Sequence, residues 1–463
     1  MSADLVDLRY GIRRRGLLRA GLGAAAAGAM GTLGCLSNAA ENRGSGTDRP
    51  NILLIIGDDQ GWTDFGFMDH PVVKTPNLDR LASGGLLLPE AYVAAPLCRP
   101  SLASILTGLY PHQHGICCND PPGPRKERAE RDYQYMKDLP TIPRRLAPLG
   151  YRSLQTGKYW EHHWRTGGFT DGMTVKGRHG GPGLAIGRKT FEPIERFVDD
   201  CRTAGAPFFI WYAPFLPHTP HNPPKRLHEK YRADGRPDRV ARYYAMCEWF
   251  DETCGQVLDI LEKKGVRENI FVLYITDNGW TEGRLAEKSY GQLPGGNRMW
   301  PQPKGKQNVY EGGVRTPVIL NWPGHVRPGR SGDLTLAVDL APTILDACGA
   351  EPTDRMQGLN LLDAGARAAR KAVFGEGFVH TARDTAHPTA NLRARWVRQG
   401  PWKLIVPAKT DPEFYGKPEL YNLADDPFER NDLAGDRPQK VKHLRRLLDA
   451  WWKPEHAPAK AGG

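Results

Sequence analysis

What the chain lacks narrows its class first. No Lys/Arg-rich block and no nucleic-acid module motif is present, which sets nucleic acid aside as a partner. The one extended apolar stretch, Ala20–Leu33, is too short and too rich in Ala and Gly to read as a membrane-spanning helix. Eight cysteines in 463 residues are too few for a disulfide-built fold, and Cys117-Cys118 has no second cluster that would make it half of a metal site. Cys201, Cys247, Cys254 and Cys348 sit among apolar residues and read as buried thiols. No internal repeat is evident. What remains is an ordinary globular composition, 40% hydrophobic and 25% charged, in a chain long enough for one large core and a smaller appended domain. The formal net charge is +11, and about +8 without the leader's surplus of arginines. Such a surplus favours acidic partners through an attraction that salt weakens; a scattered solvated surface is the plainer reading.

The first 35 residues read as an export signal directing the protein to the periplasm or cell envelope. Arg14-Arg15-Gly16-Leu17-Leu18-Arg19 resembles a twin-arginine motif ahead of the small-residue stretch. Thr32-Leu33-Gly34-Cys35 is an imperfect lipoprotein cleavage site, leaving cleavage or a membrane tether through lipidated Cys35 both open. Residues 36–49 form a linker rich in Asn, Gly, Ser and Ala. From there Asn51–Gly57, Pro207–Ala213, Ile270–Thr276 and Pro317–Asn321 are continuous apolar runs, as in strands covered on both faces. Helical patterns lie between them at Asn77–Ser83, Pro140–Leu149, Arg239–Lys264 and Leu336–Cys348. The expected fold is therefore α/β, a large, mostly parallel sheet sandwiched by helices over residues 50–350. Residues 351–463 read as a small C-terminal antiparallel α+β subdomain, with a hairpin at Ala394–Val406 and a last helix near Gln439–Trp452.

Two strands end in oxygen ligands: Asp58-Asp59 after the first and Asp277-Asn278 after the third. Ligands collect where parallel strands open at their carboxyl ends. Three carboxylates and an amide oxygen make a hard site suited to Ca²⁺, with Mg²⁺ second. Each pair alone would read as an ordinary loop start; both together point to a metal.

The run Leu97-Cys98-Arg-Pro-Ser101-Leu102-Ala-Ser-Ile-Leu-Thr-Gly108 resembles the type I sulfatase signature, in which the cysteine is oxidised to formylglycine. Further segments match in order: Pro50–Asp59, Thr75–Leu81, Tyr110-Pro-His-Gln-His-Gly115, Thr156-Gly-Lys158, Pro217-His-Thr-Pro-His221, Thr276–Gly279, Tyr310–Arg315 and Glu419-Leu-Tyr-Asn-Leu. The resemblance, to the sulfatases of the alkaline-phosphatase-like superfamily, implies an enzyme that hydrolyses sulfate esters of a saccharide or an aryl alcohol. It implies that Asp58, Asp59, Asp277 and Asn278 hold Ca²⁺ with the residue derived from Cys98, the nucleophile. It also implies that Lys158 contacts the nucleophile and sulfate, that His218 and Lys306 bind sulfate and assist the leaving oxygen, and that a formylglycine-generating enzyme matures the chain.

Two positions depart from the pattern. Leu102 stands where relatives carry an arginine that supports the formylglycine, so maturation tolerates leucine, another cation such as Arg99 compensates, or Cys98 stays a thiol. Trp160 stands where many relatives carry a histidine, with His162 and His163 as substitutes. A phosphate or phosphonate ester hydrolase on the same fold, or a silent sulfated-glycan-binding protein, are the alternatives.

Overall fold

The computed structural model describes residues 49–123, 135–232, 236–280, 304–411 and 416–454. The expected leader 1–35 with Cys35, and the linker 36–49 apart from Arg49, lie outside them. Nine strands form the first sheet: β1 (Asn51–Gly57), β2 (Leu86–Tyr92), β3 (Arg152–Gly157), β4 (Asp171–Gly172), β5 (Phe208–Ala213), β6 (Ile270–Thr276), β7 (Arg315–Asn321), β8 (Gly329–Arg330) and β9 (Thr335–Leu336). Their spatial order is β4-β3-β5-β1-β6-β7-β2-β8, with β9 also on β2. All neighbours pair in parallel except β7, which runs against both β6 and β2.

The unbroken apolar runs are explained by burial on both faces. In β1, Ile52, Leu54 and Ile56 enter one core cluster while Leu53 and Ile55 enter the other. β5 and β6 alternate likewise: Phe209, Trp211, Phe271, Leu273 and Ile275 face one side, and Phe208, Ile210, Tyr212, Val272 and Tyr274 the other. Each such side chain, fully buried, contributes about 1.5–3 kcal/mol. Helices Cys98–Thr107, Ile142–Leu146 and Leu340–Ala347 cover the first face; Pro76–Ser83, Glu192–Ala204 and Asp238–Lys263 cover the second. The helical pattern over 140–149 resolves into an α-helix, Ile142–Leu146, and a 3₁₀ turn, Ala147–Leu149, since Pro148 interrupts the ladder of backbone donors.

A second, antiparallel sheet comprises β10 (Ala372–Phe378), β11 (Leu392–Gln399), β12 (Trp402–Pro407) and β13 (Glu419–Asn422). The β11–β12 hairpin turns through Gly400-Pro401, with Gln399 opposite Trp402. One face of this sheet packs on the last helix, Pro438–Trp451, through Leu444 and Leu448. The other sends Val373, Ala394, Trp396, Ile405 and Tyr421 into the same cluster as the first sheet. Trp451 packs against Tyr110, His112 and Phe374, and Trp452 stacks on His112 at 4.4 Å. Both tryptophans therefore serve packing.

Candidate active site

Register brings the polar residues together. Gly57 of β1 lies beside Thr276 of β6, and Gly157 of β3 beside Ala213 of β5. The strands on this side of the sheet therefore end at one edge, and the residues that follow them meet there. Asp58-Asp59 follow β1, Asp277-Asn278 follow β6, Lys158 follows β3 and His218 lies beyond β5. Main-chain bonds stitch these exits: Asp277 N–H to Gly57 O at 2.9 Å, Asp58 N–H to Leu216 O at 2.9 Å, and Lys158 N–H to Ala213 O at 2.6 Å. The last bond needs Gly157, whose φ is +73° and where a Cβ would fall 1.8 Å from Ala213 O. Gly279 is required for close approach, since a Cβ there would lie 1.7 Å from Gly312 O. That approach draws in the segment carrying Lys306, whose N–H bonds Trp280 O at 2.9 Å.

Cys98 comes from elsewhere. It opens the helix Cys98–Thr107 that follows β2, and every residue of that helix is buried. Leu102 sits within the apolar cluster that the helix enters. Arg99, a cation that could have compensated for the leucine, is committed to Glu161 by two bonds of 2.7 and 2.9 Å. The cation that reaches Cys98 is Lys306, with Nζ 2.9 Å from Sγ.

Within this edge Lys158 Nζ donates to Asp58 Oδ1 at 2.5 Å and Asp277 Oδ2 at 3.0 Å. Lys306 Nζ donates to Asp59 Oδ1 at 2.5 Å, where Asn278 Nδ2 also donates at 2.6 Å. His218 Nε2 lies 3.5 Å from Asp59 Oδ2, and its Nδ1 donates to Thr219 O at 2.5 Å. Asp59 adopts φ +60°, a left-handed conformation uncommon outside glycine and found where surroundings over-determine it. Asp58, Asp59, Cys98 and His218 present ligand atoms within 4.8 Å of one another. Asp58 Oδ2 and Asn278 Oδ1 are buried without a hydrogen-bond partner. Two unpartnered oxygens among three clustered carboxylates are what a hard divalent cation satisfies, so the donor set fits Ca²⁺ or Mg²⁺.

The electrostatics follow from crowding. Burial, with Asp58 adjacent, pushes Asp277 up to about 7 against the pull of Lys158. Burial opposes ionisation of Asp59 too, but Lys306, His218 and Lys158 outweigh it and hold that carboxyl well below the usual range. Burial pushes the Cys98 thiol up to about 12 despite Lys158 and Lys306. Both lysines resist deprotonation: burial disfavours their charge, and the carboxylates around them more than compensate.

The histidines divide. His163 spends its Nδ1 on the N–H of Arg165 at 3.1 Å, capping a 3₁₀ turn, so it does not replace the histidine missing at Trp160. His114 Nε2 lies 3.1 Å from Ser104 Oγ, fixing the Cys98 helix, while His112 bonds Glu376. Sequence reasoning missed His179, whose ring lies 5.4 Å from that of His218 and 4.7 Å from that of Trp160. It sits in a glycine-flanked loop, Gly177-Arg-His-Gly-Gly181, that carries no motif.

The Sulfatase family model matches residues 50–350, and the N-sulphoglucosamine sulphohydrolase C-terminal model matches 304–451. The chain is 28% identical over 446 residues to N-acetylgalactosamine-6-sulfatase of Mus musculus, covering 83% of this chain and 82% of that one. It is 27% identical over 467 residues to arylsulfatase A of Homo sapiens, covering 86% and 87%. Among solved structures, Ps i-CgsB in complex with k-i-k-neocarrahexaose superposes with a TM-score of 0.69 at 23% identity, covering 88% of this chain and 94% of that one. Phosphonate monoester hydrolase of Agrobacterium radiobacter shares the fold at a TM-score of 0.67 and 19% identity, covering 87% and 95%. With a family model spanning most of its length and an edge of clustered carboxylates, lysines and cysteine, the chain belongs to the sulfatase family, the type I sulfatases of the alkaline-phosphatase-like superfamily, and is a sulfuric ester hydrolase.

Proposed function

We propose that this sulfatase acts on a sulfated saccharide or aryl sulfate through a formylglycine made from Cys98, with Ca²⁺ held by Asp58, Asp59, Asp277 and Asn278. The observation that carries the reading is the meeting at Cys98 Sγ of Lys306 with the Asp59 it also bonds, on the edge where Lys158 is held by Asp58 and Asp277. An unconverted Cys98, pushed up to about 12, is a neutral thiol at pH 7 and a poor nucleophile. Conversion replaces Sγ by the oxygens of a hydrated aldehyde, which supply a hydroxyl nucleophile and a second hydroxyl able to release sulfate. The cation, when bound, supplies positive charge and lowers the pKa of a hydroxyl it touches.

The chain's own residues do the rest. Lys158 and Lys306 stay ammonium at neutral pH and offer fixed positive charge to the nonbridging sulfate oxygens. Their carboxylate partners hold them in place, so little reorganisation is needed when charge builds. Lys306 also positions the nucleophilic atom by its bond to it. His218 has Nδ1–H fixed on Thr219 O, so it hands a proton from Nε2 to the departing alkoxide only as the imidazolium, a form that Asp59 Oδ2 at 3.5 Å from Nε2 favours; such an acid is worth about 10²–10⁴-fold. The name of the Mus musculus relative and the basic surplus of the chain both support a sulfated, acidic saccharide as substrate. On this reading residues 50–350 are the catalytic domain and 351–463 a subdomain that braces it.

The test is the mass of the peptide carrying Cys98, from protein co-expressed with a formylglycine-generating enzyme. Loss of the thiol with gain of a hydrazide-reactive aldehyde is expected. An unmodified thiol in protein that still turns over an aryl sulfate would overturn the nucleophile assignment.

A further inference from the structure

His179 is held in a way that the proposed chemistry does not explain. Its main-chain carbonyl accepts from Tyr159 N–H at 3.0 Å, tying it next to Lys158. Its ring lies among Trp160, Phe215 and His218, at centroid distances of 4.7, 5.1 and 5.4 Å. Arg178 Nη1 approaches its Nε2 at 2.6 Å. A guanidinium only donates, so Nε2 must carry the lone pair, and the ring is neutral with its proton on Nδ1. Arg178 is itself fixed by two bonds to Asp120, of 2.7 and 2.9 Å, and lies over the Trp160 ring at 4.6 Å. Asp120, Arg178 and His179 thus form a chain that sets one tautomer. The Nδ1–H it leaves has no hydrogen-bond partner among the described residues, and burial, then Lys158, Arg178, His218 and Lys306, oppose protonation of the ring.

A neutral donor of fixed tautomer, in a ring 5.4 Å from that of His218 and within electrostatic reach of Lys158 and Lys306, suits an anion that those groups already attract. We infer that His179 donates its Nδ1–H to the sulfate group of the substrate beside His218, and that Arg178 and Asp120 are positioning residues that hold it in the donor tautomer. A neutral imidazole adds a directed bond there without adding to the repulsion between neighbouring cations. The inference rests on the sulfate-ester reading of the pocket.

The test uses the matured full-length enzyme, binding of inorganic sulfate by calorimetry, and kcat and KM on an aryl sulfate. His179→Ala should weaken sulfate binding and lower kcat/KM by about 10–100-fold, as expected for one hydrogen bond to a charged group. His179→Asn, whose amide N–H can stand in for Nδ1–H, should recover most of that loss, whereas a packing role would not distinguish the two. Arg178→Met should cost about threefold in the parent and nothing further in the His179→Ala background, because it acts only through the ring. Sulfate affinity within twofold of the parent in His179→Ala, no recovery by asparagine, or an undiminished Arg178→Met effect in the double variant would each overturn the assignment while leaving the sulfatase reading intact. A parent enzyme that neither binds sulfate nor turns over the ester would overturn both.

Discussion

Two buried charge clusters lie a few residues apart in sequence and behave differently. In one, Lys403 of β12, fully buried, pairs with Glu311 at 2.9 Å and Glu429 at 3.1 Å, while Arg315 and Arg398 reach Glu90 and the nearby Glu311 and Tyr92. Three carboxylates, Glu90, Glu311 and Glu429, meet three cations, Lys403, Arg315 and Arg398, and the charge closes. In the other, Asp58, Asp59 and Asp277 meet Lys158 and Lys306; with Asp277 ionised one negative charge is left over, and two oxygens are without a hydrogen-bond partner. A closed cluster is bracing, here tying the small sheet to the segment that carries Lys306. An open one is a receptor, because its surplus stabilises the folded state only when something of opposite charge arrives.

The largest separation between them should come from Cys98→Ala. It removes the nucleophile candidate of the open cluster, should cut turnover of an aryl sulfate by at least about 10³-fold, and should leave the unfolding midpoint unchanged. Lys306→Met should lower kcat by about 10²–10³-fold. Lys403→Met should do the reverse: about 3–5 kcal/mol of stability lost in denaturant titration, since two buried carboxylates lose their partner. A Lys403 variant of native stability would break the distinction. Calcium at 100 times its dissociation constant should stabilise the parent by about 2.7 kcal/mol, a gain that Asp277→Asn should abolish and Glu311→Gln should keep.

The smallest effect concerns a group that escapes charge altogether. Burial, assisted by His112, pushes His114 down to about 3. The unfolded chain therefore binds a proton that the folded one refuses, so stability is unaffected above about pH 6.5 and falls as the pH drops toward 3. The loss should be about 1.4 kcal/mol at pH 5.5, and His114→Gln should remove that part of the acid sensitivity in chemical denaturation.

Much of this was legible in the residues. The strands were readable because burial on both faces leaves no polar alternation, as Ile52–Ile56 and Phe271–Ile275 show. Asp58-Asp59 and Asp277-Asn278 were readable because they sit at strand ends, where local pattern and spatial convergence coincide; Lys158 was readable only through the resemblance of its segment. His179 and the Lys403–Glu429 pair were not. Their partners lie far away in sequence, and a loop histidine or a strand lysine carries no periodic signature. The partner of Arg99, one of the alternatives left open for the role of the missing arginine, was hidden for the same reason: adjacency to Cys98 along the chain said nothing of Glu161, 62 residues on.

The helix that opens at Cys98 leaves no residue from 98 to 107 exposed, and Cys98 itself keeps 1% of its surface. On the proposed conversion of Cys98 to formylglycine, an enzyme that must reach this sulfur would find it closed once the core has formed, so the oxidation would have to win a race against collapse of the chain. Any change that speeds packing of this helix should lower the fraction of molecules that ever become active, without touching the chemistry of those that do.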